Sequence, residues 1–328
     1  MIRCDQVTYI YLRGTPLEAT ALVDVSVAIR AGEIVGIIGA TGSGKSTLVQ
    51  HFNGLLRPTS GRVYLDDVDI HAPEVDRRRV RQQVGLLFQY PEQQLFEETV
   101  FEDVAFGPRN LGLAEDVVHN RVRGALDLVG LTPDQFGPRS PFALSNGEMR
   151  RVAIAGVLAM EPRVLILDEP TAGLDPLSRQ DILGHIVRLH RERGLTIVLI
   201  THSMDAIARL CERLIVMDRG RVAADGPIRA VFSEATRLAS LGLGLPQVTQ
   251  VAHRLRERGL AVRPDVLTVE EARTAILDAL AVGSRRGGSV SPPSGPSGVS
   301  QNCAHGVGQD CTLLSDDVRG DDANDGSS

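Results

Sequence analysis

Lysine is almost absent from this chain of 328 residues: of its 35 basic side chains one is a lysine, Lys45, and the rest are arginine. Tryptophan is missing, and aromatic residues make up only 4%. A basic surplus is lacking too, since 41 acidic residues leave a net charge of −6. A general nucleic-acid binder needs an excess of positive charge to neutralise phosphates, so that class is disfavoured. The densest basic cluster, Arg77, Arg78, Arg79 and Arg81, reads as a solvated helix face. No stretch approaches the roughly 18–20 apolar residues that cross a bilayer. Met1–Asp5 does not open a charged-then-apolar leader. The expectation is a cytoplasmic chain that reaches a membrane only through a partner. Cysteine is scarce and scattered, at Cys4, Cys211, Cys303 and Cys311, which argues against a disulfide framework. Cys303, His305 and Cys311 match no common zinc spacing.

What is present is an ordinary globular balance, 43% hydrophobic and 23% charged. The last aromatic residue is Phe232, and it marks a change of composition. Before it, short apolar runs alternate with helical patterns. Glu33–Ile38, Val164–Leu167 and Thr196–Ile200 read as strands buried on both faces, each followed by a turn and a helix. That alternation predicts an α/β domain over 1–235 with a largely parallel sheet. Over 236–283 apolar residues recur at helical spacing, at Val248, Val251, Ala252, Leu255 and again at Ala272, Ile276, Leu277, Leu280. Thr268 and Glu271 predict a capping box for the second of these helices. The stretch 284–328 is dominated by Ser, Gly, Pro and Asp and reads as a disordered tail. No internal repeat is found, so the chain carries one nucleotide-binding module.

The lone lysine falls in Gly39, Ala40, Thr41, Gly42, Ser43, Gly44, Lys45, Ser46 and Thr47, which fits G-x-x-x-x-G-K-[ST] between a strand and a helix. Glycines let successive backbone N–H groups curl around phosphate oxygens, and the helix that follows turns its positive end toward the anion. Lys45 is assigned to the β/γ phosphates and Ser46 to Mg²⁺. The strand Val164–Leu167 ends in two carboxylates: Asp168, assigned to Mg²⁺, and Glu169, placed to polarise an attacking water.

From here the chain resembles the ATPase subunits of ABC transporters. Gln89 resembles the Q-loop glutamine and a further Mg²⁺ ligand. Leu144, Ser145, Asn146, Gly147 and Glu148 resemble the LSGGQ signature. Ala172–Asp175 resembles the D-loop, with Asp175 at its end, and His202 resembles the switch histidine. Tyr11 resembles the aromatic that stacks on adenine; Tyr9 competes, being on the same strand face. A narrower resemblance, to energy-coupling factor (ECF) transporter ATPases, covers nearly all of 1–283. It rests on Gly36–Gly44 with Gln50–Gly54, on Phe88–Thr99 (FQYPEQQLFEET) and on Ala105–Pro108. Ala153–Pro162 and Val231–Ser233 leading into Leu241–Val248 extend it. The Leu95–Thr99 segment is closer to the second of the two ATPase subunits than to the first.

The resemblance implies a P-loop fold of ABC type: a mixed sheet with helices, a helical signature subdomain, a small helical C-terminal extension and a tail. It implies ATP and Mg²⁺ as ligands, and a head-to-tail pair with a second homologous ATPase subunit, a heterodimer with a homodimer as the alternative. It further implies a membrane coupling subunit, a substrate-binding membrane component, and uptake of a vitamin or transition-metal ion at the cytoplasmic face of a bacterial membrane. Catalysis would fall to Lys45, Gln89, Glu169 and His202, with Ser145–Glu148 serving the partner's nucleotide. The stretch Tyr90–Phe106 is the candidate surface for the coupling subunit. The signature departs from the family's Ser-Gly-Gly-Gln. Asn146 is expected to keep the loop shape through its tolerance of φ > 0. Glu148 is expected to weaken the site it serves, giving two unequal ATP sites.

The competing expectation is an ABC-type ATPase acting on DNA or ribosomes. Only 100 positions separate Lys45 from Ser145, which leaves no room for a long coiled-coil insert. A regulatory subunit that binds ATP without turning it over is disfavoured by the presence of both Glu169 and His202.

Overall fold

The computed structural model describes residues 1–286, of which Met1–Arg285 form one compact unit. Ten strands build two sheets: β1 (Ile2–Tyr11), β2 (Ala19–Ile29), β3 (Ile34–Gly39), β4 (Ser60–Leu65), β5 (Val68–Asp69), β6 (Val84–Leu87), β7 (Val164–Asp168), β8 (Thr196–Ile200), β9 (Arg213–Asp218) and β10 (Arg221–Pro227). The four-stranded sheet, ordered β2-β1-β4-β5, is antiparallel throughout. The six-stranded sheet runs β10-β9-β3-β8-β7-β6; only the β9–β10 pair is antiparallel. The three strands expected from the sequence are all central to it, with β3 starting and ending one residue later than expected.

Strand alternation sorts the central side chains between two cores. Val35, Ile37, Val164, Ile166, Val198 and Ile200 point to one face, where they meet the antiparallel sheet and the helix Lys45–Phe52. Leu165, Leu167, Ile197, Leu199, Leu214 and Val216 point to the other, where they meet the helices of the segment 100–158 and the helix Pro176–Arg193. Because β3, β6, β7 and β8 are mutually parallel, their carboxyl ends lie along one edge of the sheet, where ligands of α/β sheets bind.

Beyond Phe232 the helices Ala235–Ser240, Gln247–Glu257 and Val269–Arg286 follow. Ala252, Val262, Val266, Ala272, Ala275 and Ala279 form a small core of their own. Leu238, Leu243 and Leu267 instead join the large core. The expected capping box is only half formed. The Glu271 N–H donates to Thr268 Oγ1 at 3.2 Å, but the Glu271 carboxylate accepts from Leu267 N–H at 2.9 Å, not from Thr268. That carboxylate is also drawn to Arg229, 2.5 Å away, which explains the displacement. The last helix takes in the first three residues of the Ser/Gly/Pro/Asp-rich stretch; the rest of the expected tail, with Cys303, His305 and Cys311, lies outside the described residues. Among the described residues no helix is long and apolar enough to cross a membrane.

Candidate active site at the strand ends

The loop after β3 is fixed by close approaches. Ser43 N–H donates to Ala40 C=O at 3.1 Å, and Gly220 N–H to Ser43 C=O at 3.0 Å. Gly44 caps the helix Lys45–Phe52 with φ +100°, and a Cβ there would stand 2.6 Å from the Ala21 carbonyl oxygen. Glycine is needed at that position on both counts. Lys45 is buried, and its Nζ donates to Gly39 C=O at 2.8 Å and Ala40 C=O at 2.9 Å. Burial holds its pKa below the ordinary lysine value, while Asp168 and Glu169 pull it back up. Thr41, Gly42 and Ser46 are exposed at the rim, and Ser43 is buried beneath them with its Oγ unpartnered.

Asp168 ends β7 and Glu169 follows it with φ +52°, in the left-handed region that a β-carbon disfavours. The turn is held by Glu169 N–H donating to Ile200 C=O at 2.9 Å, across to the end of β8. Both carboxylates are almost fully buried, Asp168 at 6% exposure and Glu169 at 8%. Burial pushes both pKa values above the usual carboxylate range. For Asp168 this is opposed by the Ser46 hydroxyl and Lys45; for Glu169 it is opposed mainly by His202 and by Thr201. Thr201 Oγ1 donates to Glu169 Oε2 at 3.3 Å, and His202 Nε2 stands 3.5 Å from Oε1, which has no hydrogen-bond partner. A buried, unpartnered carboxylate oxygen beside a histidine that is largely open to solvent is a group held ready for a ligand. Gln89 follows β6, whose Leu87 pairs with Leu167, so it is exposed at the same sheet edge.

Tyr11 lies at the same end of the molecule. Its Oη is 3.2 Å from Thr47 Oγ1, and its exposed ring meets Tyr9 edge to face at 4.7 Å. Tyr9 is turned inward, onto His51 at 4.8 Å. Of the two tyrosines, Tyr11 is the more exposed, and its hydroxyl stands beside Thr47 at the end of the phosphate loop.

The signature residues stand apart. Ser145 caps the helix Asn146–Leu158 in a complete capping box. Glu148 N–H donates to Ser145 Oγ at 3.3 Å, while Glu148 Oε2 accepts from both Ser145 N–H and Ser145 Oγ–H at 2.8 Å. These donors hold the Glu148 carboxyl below its ordinary pKa. Asn146 is the first residue of the helix and is not among the residues of positive φ, so the expectation that it works through left-handed tolerance is corrected. Gly147 lets the helix start approach its neighbour: a Cβ there would lie 3.1 Å from Ser178 Oγ. Asp175 caps the helix that holds Ser178, accepting from Leu177 N–H and Ser178 N–H at 3.0 Å each. Among the described residues no hydrogen bond joins Ser145–Glu148 to the phosphate loop.

Two participants escaped the sequence reading. Thr201 is signalled only by standing between β8 and His202. Arg150 is a charged residue in a helix that otherwise gives no reason to bury it, yet it is 2% exposed.

A phosphate loop opening a helix, two carboxylates at the end of a neighbouring strand and a histidine at the end of the next define a P-loop ATPase. The family model described as ABC transporter matches residues 22–172. The energy-coupling factor transporter ATP-binding protein EcfA2 of Symbiobacterium thermophilum is 56% identical over 277 residues, covering 84% of this chain and 96% of that one. Among solved structures, cbiO1 from Clostridium perfringens, described as part of the ABC transporter complex cbiONQ, is 38% identical with a TM-score of 0.65, covering 78% of this chain and 98% of that one. The ATP-binding cassette MJ0796, dimeric in a post-hydrolysis state bound to ADP and Pi, is 29% identical with a TM-score of 0.61, covering 70% and 99%. The chain belongs to the energy-coupling factor transporter ATP-binding proteins, within the ABC transporter ATPases. It is an ATPase whose hydrolysis is coupled to transport.

Proposed function

We propose that this chain powers uptake of a micronutrient, a vitamin or a transition-metal ion, as one half of an ATPase dimer. The second half is a homologous ATPase subunit, in a heterodimer rather than a homodimer. A membrane coupling subunit holds the pair at the cytoplasmic face, and a substrate-binding membrane component selects the cargo. One observation carries the dimer: the phosphate loop, Asp168–Glu169 and His202 share a sheet edge, while among the described residues no hydrogen bond joins the signature of the same chain to that loop. A signature so placed serves another molecule's nucleotide, and the dimeric post-hydrolysis cassette among the similar structures supports this.

ATP lies along the backbone of Gly39–Gly44, with Lys45 released from its two loop carbonyls to the β/γ phosphates and Ser46 and Thr47 beneath them. Tyr11 stacks on the adenine. Mg²⁺, when bound, neutralises charge between the phosphates. The oxygens present suit such a hard cation: the Ser46 hydroxyl beside the buried Asp168 carboxylate, with Gln89 at the same edge. Glu169 orients the attacking water and takes its proton, and Thr201 and His202 hold that carboxylate in place. His202 also faces the γ-phosphate. Binding closes the dimer and hydrolysis reopens it.

The coupling subunit docks in a groove of about 610 Å³ after the Gln89 loop, lined among others by Phe96, Phe106, Val152, Met160, Arg78 and Arg81. Phe96 and Phe106 are exposed and stacked edge to face at 5.0 Å, an apolar pair suited to a partner helix. Residues 1–235 form the ATP-binding domain and 236–283 an extension to it.

The test is Glu169→Gln in the co-expressed complex, reading phosphate release and ATP-driven uptake into vesicles. ATP binding is expected to survive while turnover and uptake are both lost. Unchanged phosphate release in a complex of this chain with a catalytically dead partner would overturn the assignment.

A further inference from the structure

Arg150 lies in the helix that the signature opens, five residues beyond Ser145, or about 7.5 Å along the axis at 1.5 Å per residue. Its buried guanidinium reaches two other segments. Nη1 donates to Pro170 C=O at 3.1 Å and Ala172 C=O at 2.7 Å. Nη2 donates to Glu92, at 3.2 Å to Oε1 and 3.0 Å to Oε2. Pro170 and Ala172 belong to the turn that starts at Glu169, where Ala172 N–H also donates to Glu169 C=O at 3.2 Å. Glu92 sits in the short 3-10 turn Pro91–Gln94, immediately after Gln89 and Tyr90.

One side chain therefore joins the start of the signature helix, the turn carrying the candidate catalytic carboxylate and the loop that borders the groove. An arginine is suited to this, because its rigid planar fork can face carbonyls with one nitrogen and a carboxylate with another. Both terminal nitrogens of the guanidinium are engaged, while Nε is buried without a protein partner. The four bonds stabilise the fold, and the same four tie the Glu169 turn to the Pro91–Gln94 segment through one side chain.

We propose that Arg150 and Glu92 form a strap that carries the state of the nucleotide site to the docking groove. Arg150 is a positioning residue, acting through Glu92 on the loop and through two carbonyls on the Glu169 turn. This rests on the transporter reading above, and it adds the device that links hydrolysis to the membrane partner. When ATP and a facing signature draw the Glu169 turn and the signature helix together, the strap obliges the segment 91–106 to follow. Without it the two ends respond independently.

The decisive variant is Glu92→Ala, which removes the acceptor of Arg150 Nη2 but leaves both carbonyl bonds of Arg150 in place. Arg150→Met is the second, and its buried position makes misfolding a risk that the first variant avoids. The measurement is amide hydrogen exchange across 91–106 in the full-length ATPase pair, with and without ATP and Mg²⁺. In the wild type, nucleotide is expected to slow exchange there by about threefold or more. In Glu92→Ala that nucleotide effect should disappear, while ATP affinity, read by equilibrium binding, stays within about threefold. A purely structural role would change the exchange rates equally with and without nucleotide. An unaltered nucleotide effect in the variant, or none in the wild type, overturns the strap. Uptake per ATP hydrolysed, read in the reconstituted transporter, separates the two readings. Absence of ATP-driven uptake in the wild type defeats the transport reading and leaves the exchange result to judge the strap.

Discussion

Two pairs of carboxylates in this chain sit in opposite circumstances. Asp168 and Glu169, at the end of β7, are buried and pushed to higher pKa by loss of water. Glu148 and Asp175, at the starts of two helices, are held below their ordinary values, Glu148 by the N–H and then the hydroxyl of Ser145, Asp175 by the hydroxyl and then the N–H of Ser178. Each of the helix-start groups finishes its own helix and is satisfied there. The strand-end groups are not: Glu169 has a left-handed backbone and one oxygen without a hydrogen-bond partner. A protein keeps such an arrangement at a cost in stability, and the return is chemistry when ATP arrives.

The contrast can be broken most severely at Lys45 and Glu169. Lys45→Arg keeps the net charge but puts a bulkier, directional group among loop carbonyls that now accept from a compact ammonium. ATP turnover should vanish with the circular dichroism spectrum unchanged; wild-type hydrolysis would show that size at this position is unimportant. Glu169→Gln should lower phosphate release by about 10²–10⁴-fold, the usual worth of a positioned general base. In the wild type the acidic limb of turnover should lie above the ordinary Glu value of about 4.3, because burial raises this group.

The same substitution should have an opposite effect on stability. A carboxylate whose folded pKa is raised favours the folded state only while protonated, so its ionised form weighs against folding at higher pH. In the nucleotide-free protein Glu169→Gln should therefore raise Tm at pH 7.5. The gain should shrink as pH falls through the raised pKa and be gone below the ordinary carboxylate value. A Tm lowered by the substitution at pH 7.5 would mean that the carboxylate is not held at a cost.

Glu148→Ala tests the other pair and should move less. Losing the capping box costs about 1 kcal/mol, read as a lower denaturant midpoint. The wild-type contribution is present above the ordinary Glu value and lost as pH falls through the lowered folded pKa, so the two proteins should converge in acid. Equal midpoints at neutral pH would show that Glu148 is not a structural cap.

These two regions also differ in how far the sequence revealed them. The phosphate loop and the Asp168–Glu169 strand end were legible because backbone geometry demands particular residues: glycine at Gly44, and an apolar run broken by two acids after Leu167. The strands around them were legible for the same reason. The signature helix was harder to read. Its start was visible in Ser145 and Glu148, but the expectation for Asn146 looked to a special backbone angle where an ordinary first helical turn suffices. Arg150 was invisible, because its partners Glu92, Pro170 and Ala172 lie 20 or more positions away. The same distance effect displaced Glu271 from its capping box, since Arg229 is remote in sequence and near in space.

The capping box gives the comparison its functional edge. Ser145 Oγ, the signature hydroxyl that should face the partner's nucleotide, donates instead to the Glu148 carboxylate. On the proposed dimer this bond would handicap the site that relies on this signature and leave the site built on Lys45 and Glu169 untouched. The direct test is ATP hydrolysis by two single-site variants of the ATPase pair. One carries Glu169→Gln in this chain, the other the corresponding substitution in its partner. The substitution here should remove most of the turnover and the one in the partner much less; equal losses from the two would contradict the account.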